Sequence, residues 1–162
     1  MAQPQILVLD DDPMVLALMR DLLEGAGYQA GVDRPDVGVL ARLHAAPPAL
    51  VILDVYAPCH ERSWMLLSQL RGDPTTRAIP VLITTTDTHW LAANEAALAT
   101  RGLRVLMKPF EVTALLEIVA TLLGHAASSD RRAPVPWGEV ACRSVGVVEA
   151  TAPAVAPARV GL

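Results

Sequence analysis

The chain contains little cysteine and no dense run of basic residues, and each shortage excludes a class of protein. Its two cysteines, Cys59 and Cys142, lie far apart without CxxC spacing, so we expect reduced thiols and neither a zinc site nor a disulfide framework. The four histidines show no metal-binding spacing either. The formal net charge of −4 argues against nucleic acid or an anionic membrane as the main partner, so a protein is the expected partner.

Long apolar runs are also missing. The most apolar helical stretch, Val112 to Leu123, is shorter than a membrane span and contains Glu117. Residues Met1 to Gln5 have neither the basic start nor the apolar segment that a signal peptide needs. We therefore expect a cytoplasmic protein that makes no membrane contact.

The 162 residues, 52% of them hydrophobic, suffice for one sizeable core with an appendage. We expect one domain over residues 1–124. Beyond Gly124 the composition shifts to Ala, Pro, Val and Ser without a helical period, which predicts a mostly disordered tail over 125–162. Within that tail, Val135 to Val148 contains Trp137 and some alternation, so a short docking segment stays an open alternative.

Strand-like and helix-like stretches alternate five times before the tail. The predicted strands are 5–9, 28–32, 49–53, 79–83 and 103–107. The predicted helices are 13–24, 36–45, about 64–72, 88–100 and 111–123. This alternation predicts an α/β fold, a doubly wound parallel sheet of the (βα)5 type.

Polar residues follow four of the five predicted strands. They are Asp10-Asp11, Asp54, Thr85 and Lys108, whereas the second strand ends in nothing obviously chemical. In open α/β sheets ligands bind beyond the carboxyl ends of the strands. The sequence therefore predicts one site that these side chains share.

Three consecutive aspartates follow the first strand, and they do not all serve the same purpose. Asp12 before Pro13 is typical of a helix cap followed by proline in the first turn. This capping role accounts for Asp12 alone and gives no reason for the presence of Asp10 and Asp11. Two unit charges about 4 Å apart repel by roughly 4 kcal/mol at an effective dielectric near 20, so packed carboxylates need a cation or a proton. Carboxylates with room for water suit Mg²⁺.

Lys108 is the only lysine in a chain with twelve arginines. A compact ammonium at a strand end, together with a metal ion, could neutralise a phosphoryl group from two sides. Thr85 is a less specific signal, because threonine is common in strands for structural reasons.

These motifs, in this order, resemble the receiver domain of the two-component response-regulator family. The matching stretches are Ile6 to Pro13, Leu50 to Asp54 with Pro58, Pro80 to Thr85, and Lys108-Pro109-Phe110. The resemblance covers residues 5 to about 124. It implies a flavodoxin-like strand order, 2-1-3-4-5.

The resemblance also implies a metal site and a reactive carboxylate. Asp54 would accept a phosphoryl group from a histidine kinase or a phosphotransfer protein. Mg²⁺ would be held by Asp10, Asp11, Asp54 and the backbone carbonyl of Tyr56, with Asp10 acting through water. Lys108 would pair with the phosphate.

For the signal, the resemblance implies that Thr85 hydrogen-bonds a phosphoryl oxygen and shifts on activation, and that the Lys108-Pro109 bond is cis. We expect a single-domain response regulator and no enzyme beyond self-catalysed phosphotransfer and dephosphorylation. Phosphorylation would shift a surface around helix 4, strand 5 and helix 5, which an output protein reads. The chain would be a monomer or a homodimer through that surface.

The sequence departs from the family pattern around the site. Val105 replaces the usual aromatic residue three positions before the lysine, Cys59 and Arg62 replace glycines, and Thr86 replaces a smaller residue. These departures motivate an alternative, a degenerate receiver that binds a protein without phosphorylation. A more remote alternative is a phosphohydrolase of the haloacid-dehalogenase type, with its nucleophile in Asp10 to Asp12.

Overall fold

The computed structural model describes residues 3–56 and 60–127, in which five strands and five helices alternate. The strands are β1 Gln5–Leu9, β2 Gln29–Asp33, β3 Leu50–Asp54, β4 Val81–Thr85 and β5 Arg104–Met107. The helices are α1 Pro13–Gly25, α2 Val39–Ala45, α3 His60–Gly72, α4 Thr88–Thr100 and α5 Val112–Ala127.

The strands form one parallel sheet in the order β2-β1-β3-β4-β5, which confirms the predicted fold class and strand order. The chain leaves β1 toward one edge of the sheet, returns to β3 on the other side of β1, and then continues to β5. The order therefore reverses between β1 and β3, the position where open α/β sheets bind ligands.

Helices cover both faces of the sheet, because successive strand residues point in opposite directions. One core cluster joins the sheet to α1 and α5 through Ile6, Val8, Leu16, Met19, Leu23, Leu50, Ile52, Leu82, Leu115 and Val119. The other joins it to α2, α3 and α4, with Leu9, Val39, Leu43, Val51, Leu53, Leu66, Leu67, Leu70, Ile83 and Leu98 among its members. All five residues of β3 and of β4 are buried, so these strands form the centre of the domain.

Asp12 caps α1, as its position before Pro13 predicts. Its Oδ1 accepts a hydrogen bond of 2.8 Å from the backbone N–H of Met14. The helix stops before Gly27, whose φ of +88° is a left-handed conformation that glycine adopts at little cost. Asp12 therefore has a structural role, which separates it from the other two aspartates.

The first half of the chain differs from the predicted elements at β2 and α2. β2 extends to Asp33, so the second strand also ends in a carboxylate, which the sequence interpretation missed. Arg42 of α2 contacts Asp33 at 2.7 Å and Asp36 at 3.0 Å. The Asp36 carboxylate also accepts a hydrogen bond from the N–H of Gly38, and this turn delays the start of α2 to Val39.

In the second half β4 lies two residues later than predicted. Pro80 has no N–H to donate and stays outside the strand, although its carbonyl accepts a 3.0 Å hydrogen bond from the Val51 N–H. The ladder to β3 therefore runs from Val51 with Val81 to Asp54 with Thr84. This register decides which threonine lies beside the acidic site.

Two helices are longer than predicted. α3 begins at His60, before the predicted start near residue 64. α5 continues through Gly124 to Ala127, three residues into the predicted tail, because one glycine weakens a helix by only about 1 kcal/mol. The rest of the predicted disorder and the docking segment Val135 to Val148 lie outside the described residues. None of the helices within 3–56 and 60–127 has the length and apolar character that a membrane span needs.

The cap of α1 gives a prediction about stability. We expect Asp12→Ala to lower the free energy of unfolding by about 1 kcal/mol, since the Met14 N–H loses its acceptor. Urea denaturation measures the change. Asp21→Ala, which removes an exposed aspartate from the same helix, is the matched control and should have little effect. An equal loss in both variants would contradict the capping role.

Candidate functional site

The carboxyl ends of β1, β3, β4 and β5 bring the predicted side chains to one edge of the sheet. Lys108, which follows β5, spans that edge with its side chain. Its Nζ lies 2.7 Å from Oδ2 of Asp10 and 2.7 Å from Oδ1 of Asp54. The ammonium group of Lys108 thus contacts two residues that are distant in the chain. Asp10 lies 98 positions before Lys108, and Asp54 lies 54 positions before it.

The Lys108 ammonium is partly buried, with 18% of its side chain exposed. Burial alone would lower its pKa. The hydrogen bonds and negative charges of Asp10 and Asp54 outweigh burial, and the pKa of Lys108 is raised. The amine therefore remains a cation, and its backbone N–H is fixed by a 2.8 Å hydrogen bond to the Thr85 carbonyl. The Lys108-Pro109 peptide bond is cis, as the resemblance implied.

Asp54 is the last residue of β3, and its side chain is only 8% exposed. Burial raises the pKa of this carboxyl, and the charge of Asp10 adds to the rise. The hydrogen bonds from Lys108 and Thr84 oppose the shift without cancelling it. The backbone around Asp54 is well fixed, because the Ser63 hydroxyl donates to its carbonyl oxygen at 2.8 Å. The side chain at the centre of this edge is thus a buried carboxylate beside a cation.

Asp10 and Asp11 differ in their surroundings. Asp10 is buried, and its Oδ1 accepts a 2.9 Å hydrogen bond from the Asp12 N–H while Oδ2 contacts Lys108. The Asp11 side chain is 25% exposed and faces the Arg62 guanidinium at 3.9 Å. Arg62 occupies a position where the resemblance suggested glycine, and the structure places its charge against Asp11.

The hydroxyl beside Asp54 belongs to Thr84. Its Oγ1 donates to Oδ1 of Asp54 over 3.3 Å, and Thr84 is directly paired with Asp54 across the ladder. Thr85 points away from that carboxylate, since strand side chains alternate. The Thr85 hydroxyl instead accepts a 3.0 Å hydrogen bond from the N–H of Asp87, the N-cap of α4. Sequence reasoning missed Thr84, although strand periodicity and the alignment of β3 with β4 would have indicated it.

The donor set suits Mg²⁺ better than a metal that needs many protein ligands. In the part of the chain that the structure describes, no three His, Cys, Asp or Glu side chains are grouped to hold a metal ion. Mg²⁺ takes one or two carboxylates together with water and phosphate oxygens. Asp11, which is partly exposed, and Asp54 provide two carboxylates at this edge of the sheet. With Asp10 included, three carboxylates and the Lys108 ammonium leave a formal excess of two negative charges. Tyr56, two residues beyond β3, is half-buried.

Fold and site together define a class of signalling domain. The family model of the response regulator receiver domain matches residues 6–120, most of the chain. The chain belongs to the response regulator receiver domain family of two-component signalling.

Relatives of this chain agree with that assignment. Over 123 residues it is 26% identical to the polar-differentiation response regulator DivK of Brucella ovis, covering 75% of this chain and 97% of that protein. A receiver domain of a signal transduction histidine kinase from Syntrophus aciditrophicus is 25% identical, with a TM-score of 0.67 over 80% of this chain and 97% of that one. A CheY-like receiver domain protein from Methanospirillum hungatei shares the fold, with a TM-score of 0.68 at 21% identity over 78% and 98% of the two chains.

The raised pKa of Asp54 predicts how stability changes with pH. Because the folded protein binds this proton more tightly than the unfolded chain, stability falls as pH rises above the ordinary aspartate pKa near ~4. Asp54→Asn removes that cost. We expect it to raise the free energy of unfolding at pH 7 in the absence of Mg²⁺.

Denaturation at a series of pH values checks this expectation. The difference between Asp54→Asn and the natural protein should disappear near pH ~3, where Asp54 is protonated in both states. Asp21→Asn controls for loss of one negative charge at an exposed position. A less stable Asp54→Asn protein at pH 7 would contradict the prediction.

Proposed function

We propose that this chain is a response regulator that accepts a phosphoryl group on Asp54 and signals the change to a protein partner. The observation that carries the proposal is the pair of 2.7 Å contacts from Lys108 to Asp54 and Asp10. In these contacts a buried carboxylate, which would be the nucleophile, lies next to a cation of the kind that binds phosphoryl oxygens. The donor would be a histidine kinase or a phosphotransfer protein.

Phosphoryl transfer of this kind depends on positioning and on charge neutralisation. A carboxylate oxygen of Asp54 attacks phosphorus, the new O–P bond forms, and the P–N bond of the phosphohistidine breaks with its electron pair returning to the imidazole. Lys108 exchanges a carboxylate contact for one with the phosphoryl group. Mg²⁺, when bound, would supply further positive charge for the phosphoryl oxygens.

Asp11 and Asp54 would be direct ligands of that ion, and the backbone carbonyl of Tyr56 would be the third ligand from the protein. Asp10, which is buried against Lys108, would act through water. This division matches the surroundings of the two neighbouring aspartates, since Asp11 is the more exposed of them.

The route to a partner would begin at Thr85. Its hydroxyl accepts from the Asp87 N–H at 3.0 Å, while the Asp87 carboxylate caps α4 through the Trp90 N–H at 2.8 Å. A Thr85 hydroxyl that turns toward a phosphoryl oxygen gives up its contact with Asp87. The first turn of α4 would then adjust, and with it a surface of α4, β5 and α5 that an output protein reads. That surface would also serve any homodimer.

In this proposal the protein has no substrate turnover of its own beyond gaining and losing its phosphoryl group. Its place of action would be the cytoplasm, where histidine kinases present their phosphohistidine. No observation among the described residues favours the phosphohydrolase alternative.

Labelling the protein tests the proposal directly. Incubation with Mg²⁺ and acetyl phosphate should add one phosphoryl group, which mass spectrometry of borohydride-trapped peptides should locate at Asp54. Asp54→Asn should take up none, whereas Asp21→Asn, which lacks an exposed aspartate remote from the edge, should label like the natural protein. Absence of labelling at Asp54, together with failure to bind beryllofluoride, would overturn the proposal.

One observation favours a second candidate, a phosphorylation-independent binding module. Lys108 already contacts both Asp10 and Asp54, so each of these carboxylates has a hydrogen-bonded cation partner without metal or phosphoryl group. Hydrogen exchange with and without beryllofluoride separates the two candidates. A response regulator should change protection in α4, β5 and α5, whereas a binding module should change only beside Asp54. Asp54→Asn, which cannot form the adduct, controls for non-specific effects of the reagent.

A further inference from the structure

Thr84 is a buried polar side chain that lies beside Asp54. It is 2% exposed, and its hydroxyl makes one hydrogen bond within the described part of the chain, to Oδ1 of Asp54. A buried hydroxyl without a partner is costly, so this contact determines its orientation. The backbone holds it there, because Thr84 is paired with Asp54 and its carbonyl accepts a 2.8 Å hydrogen bond from Val55 N–H.

The two oxygens of Asp54 are consequently unequal. Oδ1 receives both Lys108 at 2.7 Å and Thr84 at 3.3 Å. No side chain or backbone group within residues 3–56 and 60–127 donates a hydrogen bond to Oδ2. Among these contacts Oδ2 is the oxygen that accepts no hydrogen bond, and a carboxylate oxygen without a hydrogen-bond donor is the better nucleophile.

The two donors to Oδ1 also differ in how far their side chains can move. Lys108 has a long side chain that it shares with Asp10, so it can turn to an arriving phosphoryl group. Thr84 is fixed in the strand next to Asp54 and cannot follow. The 3.3 Å distance is long for an O–H···O hydrogen bond, and it leaves room to shorten once Lys108 leaves Oδ1.

We propose that Thr84 is a positioning residue that makes Oδ2 of Asp54 the phosphoryl acceptor and holds Oδ1 as the carbonyl oxygen of the acyl phosphate. This inference rests on the proposed function. In the step it describes, Oδ2 attacks phosphorus, the O–P bond forms, the bond to the donor breaks, and the donor leaves with the electron pair. When the acyl phosphate hydrolyses, a water oxygen attacks phosphorus and forms an O–P bond, and the bond from phosphorus to Oδ2 breaks. The protons of that water go to the departing inorganic phosphate and to solvent. Asp54 leaves as carboxylate with the electron pair, and the Thr84 hydroxyl stabilises the negative charge that spreads to Oδ1.

Infrared difference spectroscopy of the phosphorylated protein tests the inference. Acetyl phosphate and Mg²⁺ generate the acyl phosphate, and aspartate carrying ¹³C in its carboxyl group identifies its C=O band. A hydrogen bond to a carbonyl lowers its stretching frequency, so Thr84→Val should move the band to higher wavenumber. Thr84→Ser keeps a hydroxyl and should restore the position found in the natural protein.

The lifetime of the phosphoryl group provides a second measurement. Thr84→Val should slow its loss about three- to tenfold, the effect of removing one hydrogen bond from a leaving carboxylate. Thr76→Val is a matched control, because the Thr76 hydroxyl is also fully buried but donates to the Leu70 carbonyl at 2.9 Å, away from the site. That variant should change neither the band nor the lifetime.

The outcomes separate this inference from the proposed function. No acyl phosphate band in the natural protein would overturn the proposed function and the inference with it. A labelled natural protein in which Thr84→Val matches Thr76→Val in both band and lifetime would overturn the inference alone. Circular dichroism checks folding, and Thr84→Ala replaces Thr84→Val if valine is not accommodated.

Discussion

The site depends on one electrostatic constraint, the placement of three carboxylates at the ends of two adjacent parallel strands. Asp10, Asp11 and Asp54 would repel each other at this edge if no cation were present. Lys108 reaches across from β5 to meet Asp10 and Asp54, each at 2.7 Å. Because Asp10 and Asp54 are buried, their desolvation is costly, and the hydrogen-bonded ammonium offsets part of that cost.

The same constraint leaves this edge of the sheet negatively charged. A single ammonium among three carboxylates leaves an excess of negative charge, which favours binding of a cation. Burial raises the pKa of Asp54, because its carboxylate is incompletely solvated. Arg62, 3.9 Å from Asp11 and largely exposed, adds positive charge at the rim without closing the site.

Because successive side chains of a strand point to opposite faces of the sheet, the neighbouring residues Thr84 and Thr85 make different contacts. Thr84 faces Asp54, while Thr85 reaches the N-cap of α4 through Asp87. Thr84 therefore contacts the Asp54 carboxylate on one face of the sheet, and Thr85 contacts the N-cap residue of α4 on the other. A shift of β4 by one residue would exchange these roles, which makes the register of β3 with β4 as important to the site as the identity of its residues.

The sequence by itself determined the alternation of strands and helices, the doubly wound sheet and the clustering of Asp10, Asp54 and Lys108. Those features follow from local periodicity and from the rule that parallel strands present their carboxyl ends at one edge. The cap at Asp12 was equally local. Tertiary structure alone decided which threonine contacts Asp54, which of its carboxylate oxygens accepts the hydrogen bonds of Lys108 and Thr84, and where the Arg62 charge lies. These contacts depend on strand register and on how far side chains extend from distant elements. The spacing of residues along the chain predicts neither the register nor that extent.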